Sequence, residues 1–280
     1  MKTINLIIGV LFCVISFVSC STSDNKENGN TENPIQTSKP LNISVFLDMS
    51  DRIIKKSDGM FQNEKDTIIV EHIAKTFQSI VFKNGIQKSN DRIKVFFYPT
   101  PTIPEINNIT KSLEIDFSKL GFGQERKNLY NNIVPQVTEN LKLVYESTLK
   151  SKQWIGSDIW GFFDERAKDL CVQEGYRNIL IILSDGYIYH VDNKQKEGNN
   201  FSYITPQTLS IANSGLIPCD TDLKDLEVLF LEVDAPVSHR KKVIKIIEDW
   251  FDGMSIEKYK IVKTDQPANN IKVIENFLNE

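Results

Sequence analysis

Residues 178–186 read NILIILSDG. After Asn178 come five aliphatic side chains without a break, then a hydroxyl, a carboxylate and a glycine. A half-exposed strand would alternate apolar and polar residues, so a run of this kind predicts a strand, Asn178–Leu183, buried on both faces. Such strands belong to parallel sheets covered by helices. Asn42–Leu47 (NISVFL) is built the same way and also stops at a carboxylate, Asp48.

The same alternation of strand and helix extends outward from these two runs. Arg92–Tyr98 (RIKVFFY), Leu226–Val233 and Ile256–Val262 read as strands, and Leu113–Phe117 as a shorter edge strand. Between them, apolar residues at three- and four-residue spacing, such as Ile69, Ile73, Phe77 and Ile80, predict a helix over Glu64–Phe82. Further helices are predicted over Asn128–Lys150, Asp158–Gln173, Pro206–Asn213, Ser238–Phe251 and Pro267–Leu278, with Pro135 as a break or first-turn residue. The fold class is therefore α/β: a doubly wound, mostly parallel sheet flanked by helices on both faces. Ligands of such sheets bind outside the carboxyl ends of the strands. No period of 20–50 residues repeats, which excludes solenoids and propellers.

The first forty residues follow another logic. Lys2 precedes an apolar run, Leu6–Val18, broken only by Ser16. Thirteen helical residues span about 20 Å, short of a ~30 Å hydrocarbon core, so the run reads as a secretory signal over residues 1–19 rather than a membrane span. It ends in Phe17-Val18-Ser19-Cys20, which resembles the bacterial lipobox. That resemblance implies that Cys20 carries acyl chains such as palmitate and becomes the mature N-terminus, a membrane anchor without a membrane span. Ser21 at the next position implies an envelope lipoprotein sent to the outer membrane. Residues 20–40 are polar apart from Ile35 and predict a disordered tether with a reach of about 25 Å.

Residues 41–280 are left for one domain, and composition limits what it does. The chain of 280 residues is 40% hydrophobic and 25% charged, with a net charge of −4. Those values exclude wholesale disorder, and the charge disfavours nucleic-acid binding through phosphate neutralisation. Of four cysteines, Cys13 lies in the signal and Cys20 in the lipobox. Cys171 and Cys219 remain, and both a disulfide and two buried thiols are open. With only His72, His190 and His239 beside them, they make no zinc pattern.

Three polar clusters sit where a doubly wound sheet places its site: Asp48-Met49-Ser50-Asp51-Arg52, Gly156-Ser157-Asp158-Ile159 and Ser184-Asp185-Gly186. Their oxygens suit a hard divalent cation. The arrangement, over roughly residues 41–280, resembles the von Willebrand factor A (VWA) domain and its metal-ion-dependent adhesion site, in a partly degenerate form. The resemblance implies metal ligation by Asp48, Ser50, Ser157 and Asp185, with Mg²⁺ (or Mn²⁺ or Ca²⁺) as cofactor and a ligand carboxylate at the open position. Arg52 departs from the motif, which has a serine there. Two consequences are open: a guanidinium repels the metal, or it holds an acidic group by itself. Each cluster also has a plain reading, as strand-end cap, helix N-cap or turn.

The expected function is a membrane-anchored envelope protein that binds a protein or peptide ligand and is not an enzyme. Asp51, Arg52, Asp158, Tyr187 and Tyr189 are the ligand-contact candidates. The alternatives are a metal-dependent hydrolase or phosphatase with Asp48 as nucleophile, and a structural lipoprotein whose site is vestigial. A phosphatase of the strand-then-Asp type expects an acid two residues on, where this chain has Ser50. No nucleophile elbow, phosphate-binding loop or dinucleotide fingerprint is present.

Overall fold

All seven residues of the first strand, β1 (Leu41–Leu47), are buried, as are six of seven in β4 (Arg177–Leu183) and seven of eight in β5 (Leu226–Val233). They belong to one six-stranded sheet with β2 (Arg92–Phe96), β3 (Glu114–Asp116) and β6 (Tyr259–Lys263). These features come from a computed structural model that describes residues 39–57, 59–99, 102–151, 156–186, 196–197, 200–201, 221–235 and 237–280. The signal segment 1–19, Cys20 and the tether as far as residue 38 lie outside the described residues, as do Tyr187, Tyr189, Cys219 and the helix expected over 206–213. Residues 38–280 form one compact unit.

Across the sheet the strand order is β6-β5-β4-β1-β2-β3. Every neighbouring pair is parallel except β2 and the short edge strand β3. Numbered along the chain, this is the doubly wound order 3-2-1-4-5-6, whose direction of winding reverses between β1 and β4. The fold is thus the doubly wound, mostly parallel α/β class that the apolar runs predict, in the VWA/Rossmann-like form that the loop resemblance implies.

Period-two alternation divides the buried strand residues between two cores. Ile43, Val45, Leu47, Ile179, Ile181, Leu183, Leu229 and Leu231 enter the core beneath α1 (Gln62–Asn84), α3 (Gln124–Ser151) and α7 (Pro267–Asn279). Phe46, Leu180, Ile182, Val228 and Phe230 enter the core beneath α4 (Ile159–Glu165), α5 (Ala167–Cys171) and α6 (Val237–Gly253). Each such side chain contributes roughly 1.5–3 kcal/mol when fully buried. Both faces are therefore mostly apolar, with Asn42, Ser44 and Asn178 as buried polar exceptions, and the clustered polar groups fall at the strand ends.

The described elements depart from the pattern-based expectation in three places. α3 runs through Pro135, which is exposed, so water can serve the carbonyl whose helical partner the proline removes. The helix expected over Asp158–Gln173 is two helices, because Arg166 leaves helical geometry at φ −129°. Phe163, Ala167 and Cys171 keep a four-residue spacing across that break, so periodicity does not reveal it. A further helix, α2 (Pro104–Thr110), follows the proline-rich turn that ends β2.

At the amino ends of the strands, Arg177 of β4 grips Glu227 of β5 through two hydrogen bonds of 2.9 and 2.7 Å and also donates to the carbonyls of Phe277 and Leu278 at the end of α7. Burial pushes the Glu227 carboxyl up, but Arg177 and then Lys258 outweigh it and hold the carboxyl below its ordinary value. A depressed carboxylate contributes stability that is present above the unfolded value, about 4.3, and is lost as pH falls through the lower folded value. Glu227→Gln is accordingly expected to cost about 1 kcal/mol at pH 7 for this part-exposed pair, with the deficit shrinking below about pH 4. Urea unfolding of both proteins at pH 7 and pH 3.5 checks this.

Candidate functional site at the strand carboxyl ends

Parallel pairing of β1 with β4 ends at Leu47 opposite Leu183, which sets Asp48 beside Ser184 at the switch point. The two loops are stitched together there. Asp48 donates its backbone N–H to the Leu183 carbonyl at 3.1 Å. Its Oδ1 accepts from the Ser50 N–H at 2.9 Å, and its Oδ2 accepts from the Ser184 hydroxyl at 2.6 Å. Asp48 is fully buried. Ser50 caps the 3-10 turn Asp51–Ile54, which carries Arg52 inward and leaves Asp51 exposed.

Arg52 is 4% exposed, and its guanidinium is the central charge of the cluster. One amino group donates to Asp66 Oδ2 at 2.9 Å and to the Leu183 carbonyl at 2.8 Å, while Nε lies 3.6 Å from Asp48 Oδ2. Burial disfavours the charged guanidinium, yet Asp66 and then Asp48 outweigh that effect and hold it above its ordinary value. Asp66 is lifted by its own burial, with Arg52 and the Gln62 amide pulling the other way. The Tyr145 hydroxyl donates to the same Asp66 oxygen at 3.0 Å and is raised well above its ordinary value, first by burial and then by Asp66.

The network continues across the sheet. Gln62 donates to Asp66 at 3.0 Å and to Glu232 of β5 at 3.1 Å. Glu232 also accepts from Thr264 at 2.7 Å and from the Asn270 amide. It has a φ of 71°, rare for a residue with a side chain, and its three donors hold it in that conformation. The structure therefore ties the first loop, α1, β5 and α7 together through buried polar groups, although Arg52 Nε and Asn270 Oδ1 have no hydrogen-bond partner among the described residues.

The second loop meets the first through an isolated bridge between Met49 and Gly156. Ser157 is fully buried, and its hydroxyl has no hydrogen-bond partner among the described residues. Asp158 caps α4, its Oδ1 accepting from the Gly161 N–H at 2.8 Å. In the third loop Asp185 is half-buried and accepts from the Asp234 N–H through its carbonyl. Gly186 has a φ of 87°, and a Cβ there would meet Val243 at 3.0 Å, so the turn after Asp185 requires glycine. Above the buried network, Lys55 pairs with Asp234 and carries a salt bridge from the first loop to the end of β5.

The structure thus gathers Asp48, Ser50, Arg52 and Ser184 by direct contacts, and it brings the Ser157 loop against the first loop. Arg52, expected at a ligand contact, is turned into the interior, while Asp158 is engaged in capping. Tyr187 and Tyr189 lie outside the described residues. Cys171 is buried and its thiol is pushed up to about 11 by burial; Cys219 is not among the described residues. Gln62, Asp66, Tyr145 and Glu232 are not announced by the loop motifs. Asp66 carries one signal: with Val70, Ile73 and Phe77 it keeps the three- and four-residue spacing of the buried stripe of α1. A groove of about 820 Å³ lined by Lys39, Tyr176 and Arg177 lies at the opposite, amino-end edge of the sheet.

Together these features define the class: a doubly wound α/β domain with a buried polar cluster at its switch point. No protein-family profile matches the chain, and no curated protein does. Among solved structures the chain is similar to the pilus adhesin SpaC from Lactobacillus rhamnosus GG, at 15% identity and a TM-score of 0.43, over 87% of this chain and 30% of the adhesin. It thus spans about a third of the adhesin's length. An aerotolerance-related membrane protein from Bacteroides fragilis matches at 13% identity and a TM-score of 0.40, over 85% of this chain and 98% of its own. BatB from Bacteroides thetaiotaomicron matches at 11% identity and a TM-score of 0.40, with the same coverage. Likeness of this degree assigns neither family nor activity, and the class rests on strand order and register. Among the described residues no helix is long and apolar enough to cross a membrane.

Proposed function

We propose that this chain is a binding domain of the bacterial envelope, anchored at Cys20 and presenting the switch-point end of its sheet to a protein or peptide ligand. The observation that carries this reading is the state of Asp48. A nucleophile must reach its substrate, but Asp48 is fully buried and both its oxygens are engaged, by Ser50, Ser184 and the nearby Arg52. The Cys171 thiol is likewise buried and protonated at neutral pH. The cluster therefore shapes a surface instead of performing chemistry on one. Among the described residues, the half-buried Asp185, the exposed Asp51 and the Lys55–Asp234 pair are polar groups of this surface.

Two measurements on the full chain test the proposal. Peptides selected from a random display library against the wild-type chain are expected to lose at least tenfold in affinity on Asp51→Arg or Lys55→Glu, both exposed substitutions that leave the buried network intact. Selected binders indifferent to both changes would remove the switch-point end as the binding face. In parallel, p-nitrophenyl phosphate with Mg²⁺ is expected to show no turnover above an Asp48→Ala control. Turnover lost in that control would replace the binding reading with the hydrolase.

A further inference from the structure

The three loops carry the oxygens of a divalent-cation site at Asp48, Ser50, Ser157 and Asp185, yet their environment does not suit a divalent cation. Three observations bear on this. The first-loop motif's third position, a serine, belongs here to Arg52, so one direct ligand is missing and a fixed positive charge is added. That charge lies inside the cluster, 3.6 Å from Asp48 Oδ2 and 2.9 Å from Asp66. The Asp48 oxygens are already committed, one to the Ser50 N–H and the other to the Ser184 hydroxyl. A dication brought to these oxygens would face a guanidinium that Asp66 offsets only in part, in a buried, low-dielectric setting. The Ser157 hydroxyl, partnerless among the described residues, favours a metal, but a single bound water satisfies it equally well.

We propose that the Arg52 guanidinium is the resident cation of this cluster, and that the domain holds its three loops together without a divalent metal. Arg52 gathers Asp48 from its own loop, Asp66 from α1 and the Leu183 carbonyl at the end of β4, just before the third loop, while the second loop is held to the first by the Met49–Gly156 bridge. A guanidinium suits the task because its planar fork donates in several fixed directions at once and keeps its charge at every working pH. Preorganisation of the switch-point surface then does not depend on metal supply. This proposal shares the site of the binding reading, but its test reads metal uptake and thermal stability, so the two fail separately.

The test is thermal unfolding of the full chain with and without Mg²⁺ or Mn²⁺, together with Mn²⁺ paramagnetic resonance. The wild type is expected to show no metal-dependent shift and no bound Mn²⁺. Arg52→Ser, which restores the hydroxyl and removes the charge, is expected to gain a saturable, Mn²⁺-dependent rise in Tm of several degrees. Arg52→Lys retains a charge and is expected to stay indifferent to metal. Saturable Mn²⁺ binding by the wild type that Asp185→Ala abolishes would overturn the proposal. So would a folded Arg52→Ser that ignores metal, or an Arg52→Lys that takes it up. If Arg52→Ser does not fold alone, rescue of its refolding by Mn²⁺ supports the proposal and failure of rescue overturns it.

Discussion

Arg126→Ala is expected to lower the unfolding free energy by about 3 kcal/mol without touching the switch point. Arg126 lies in the first turns of α3 and is 5% exposed. Its hydrogen bonds run to backbone carbonyls: Nε to Leu120 and Gly121, one amino group to Ser89 and Ile86, the other to Phe117 and Leu120. Five carbonyls from the turn after α1, the turn after β3 and the loop before α3 thus converge on one guanidinium. Hydrogen bonds from a charged donor contribute roughly 1.5–3 kcal/mol each, but these share one side chain, and water can reach some of the carbonyls once it is gone. The Phe117 and Phe122 rings, each with its centroid 6.0 Å from the guanidinium carbon, add attraction. Arg126→Lys separates charge from geometry. An ammonium cannot span both sides of the fork, so lysine is expected to recover less than half of the loss. Equal stability of the lysine variant and the wild type, by denaturant unfolding at unchanged m-value, would show that charge alone matters.

How much of this was legible in the sequence depends on the distance between partners. The runs at Asn42–Leu47 and Asn178–Leu183 disclose β1 and β4, because a strand buried on both faces must be apolar throughout. From there the doubly wound order follows, and with it the meeting of Asp48 and Ser184, although 136 residues separate them. The edge strand β3 is visible only as a short run between longer elements, and its antiparallel direction is not legible, because its residues are neither uniformly apolar nor buried on both faces. The direction of Arg52 is not legible. A loop arginine that reaches a helix 14 residues on and a strand end 131 residues on has no local pattern to betray it. Glu232 shows the same limit: its apolar neighbours announce a strand, but not the positive φ or the donors from α1 and α7 that hold it there.

Arg52→Met is expected to cost about 4 kcal/mol, the larger of the two effects, because it removes one member of a buried charge pair and leaves the others uncompensated. Methionine replaces the arginine's stem only as far as Nε and leaves the guanidinium's place open, so the loss is chiefly electrostatic with a smaller cavity contribution. Asp66 and Asp48, both fully buried, would then face each other without the cation between them. Two signatures distinguish this from lost packing. The first is rescue: Arg52→Met with Asp66→Asn removes both charges while keeping an acceptor for Tyr145, and at least half of the lost stability is expected to return. The second is pH. Burial already holds the Asp66 carboxyl above its ordinary value, and Arg52 is the largest influence opposing it. Without Arg52 the folded value rises further above the unfolded one, near 3.9. A raised carboxyl contributes stability that is fully present below the unfolded value and is lost as pH rises through the folded one. The deficit of Arg52→Met is therefore expected to be smallest near pH 4 and to be larger at a pH above the wild type's folded value, whereas a packing loss would be the same at both. Urea unfolding of the wild type, the single variant and the double variant at the two pH values decides between them.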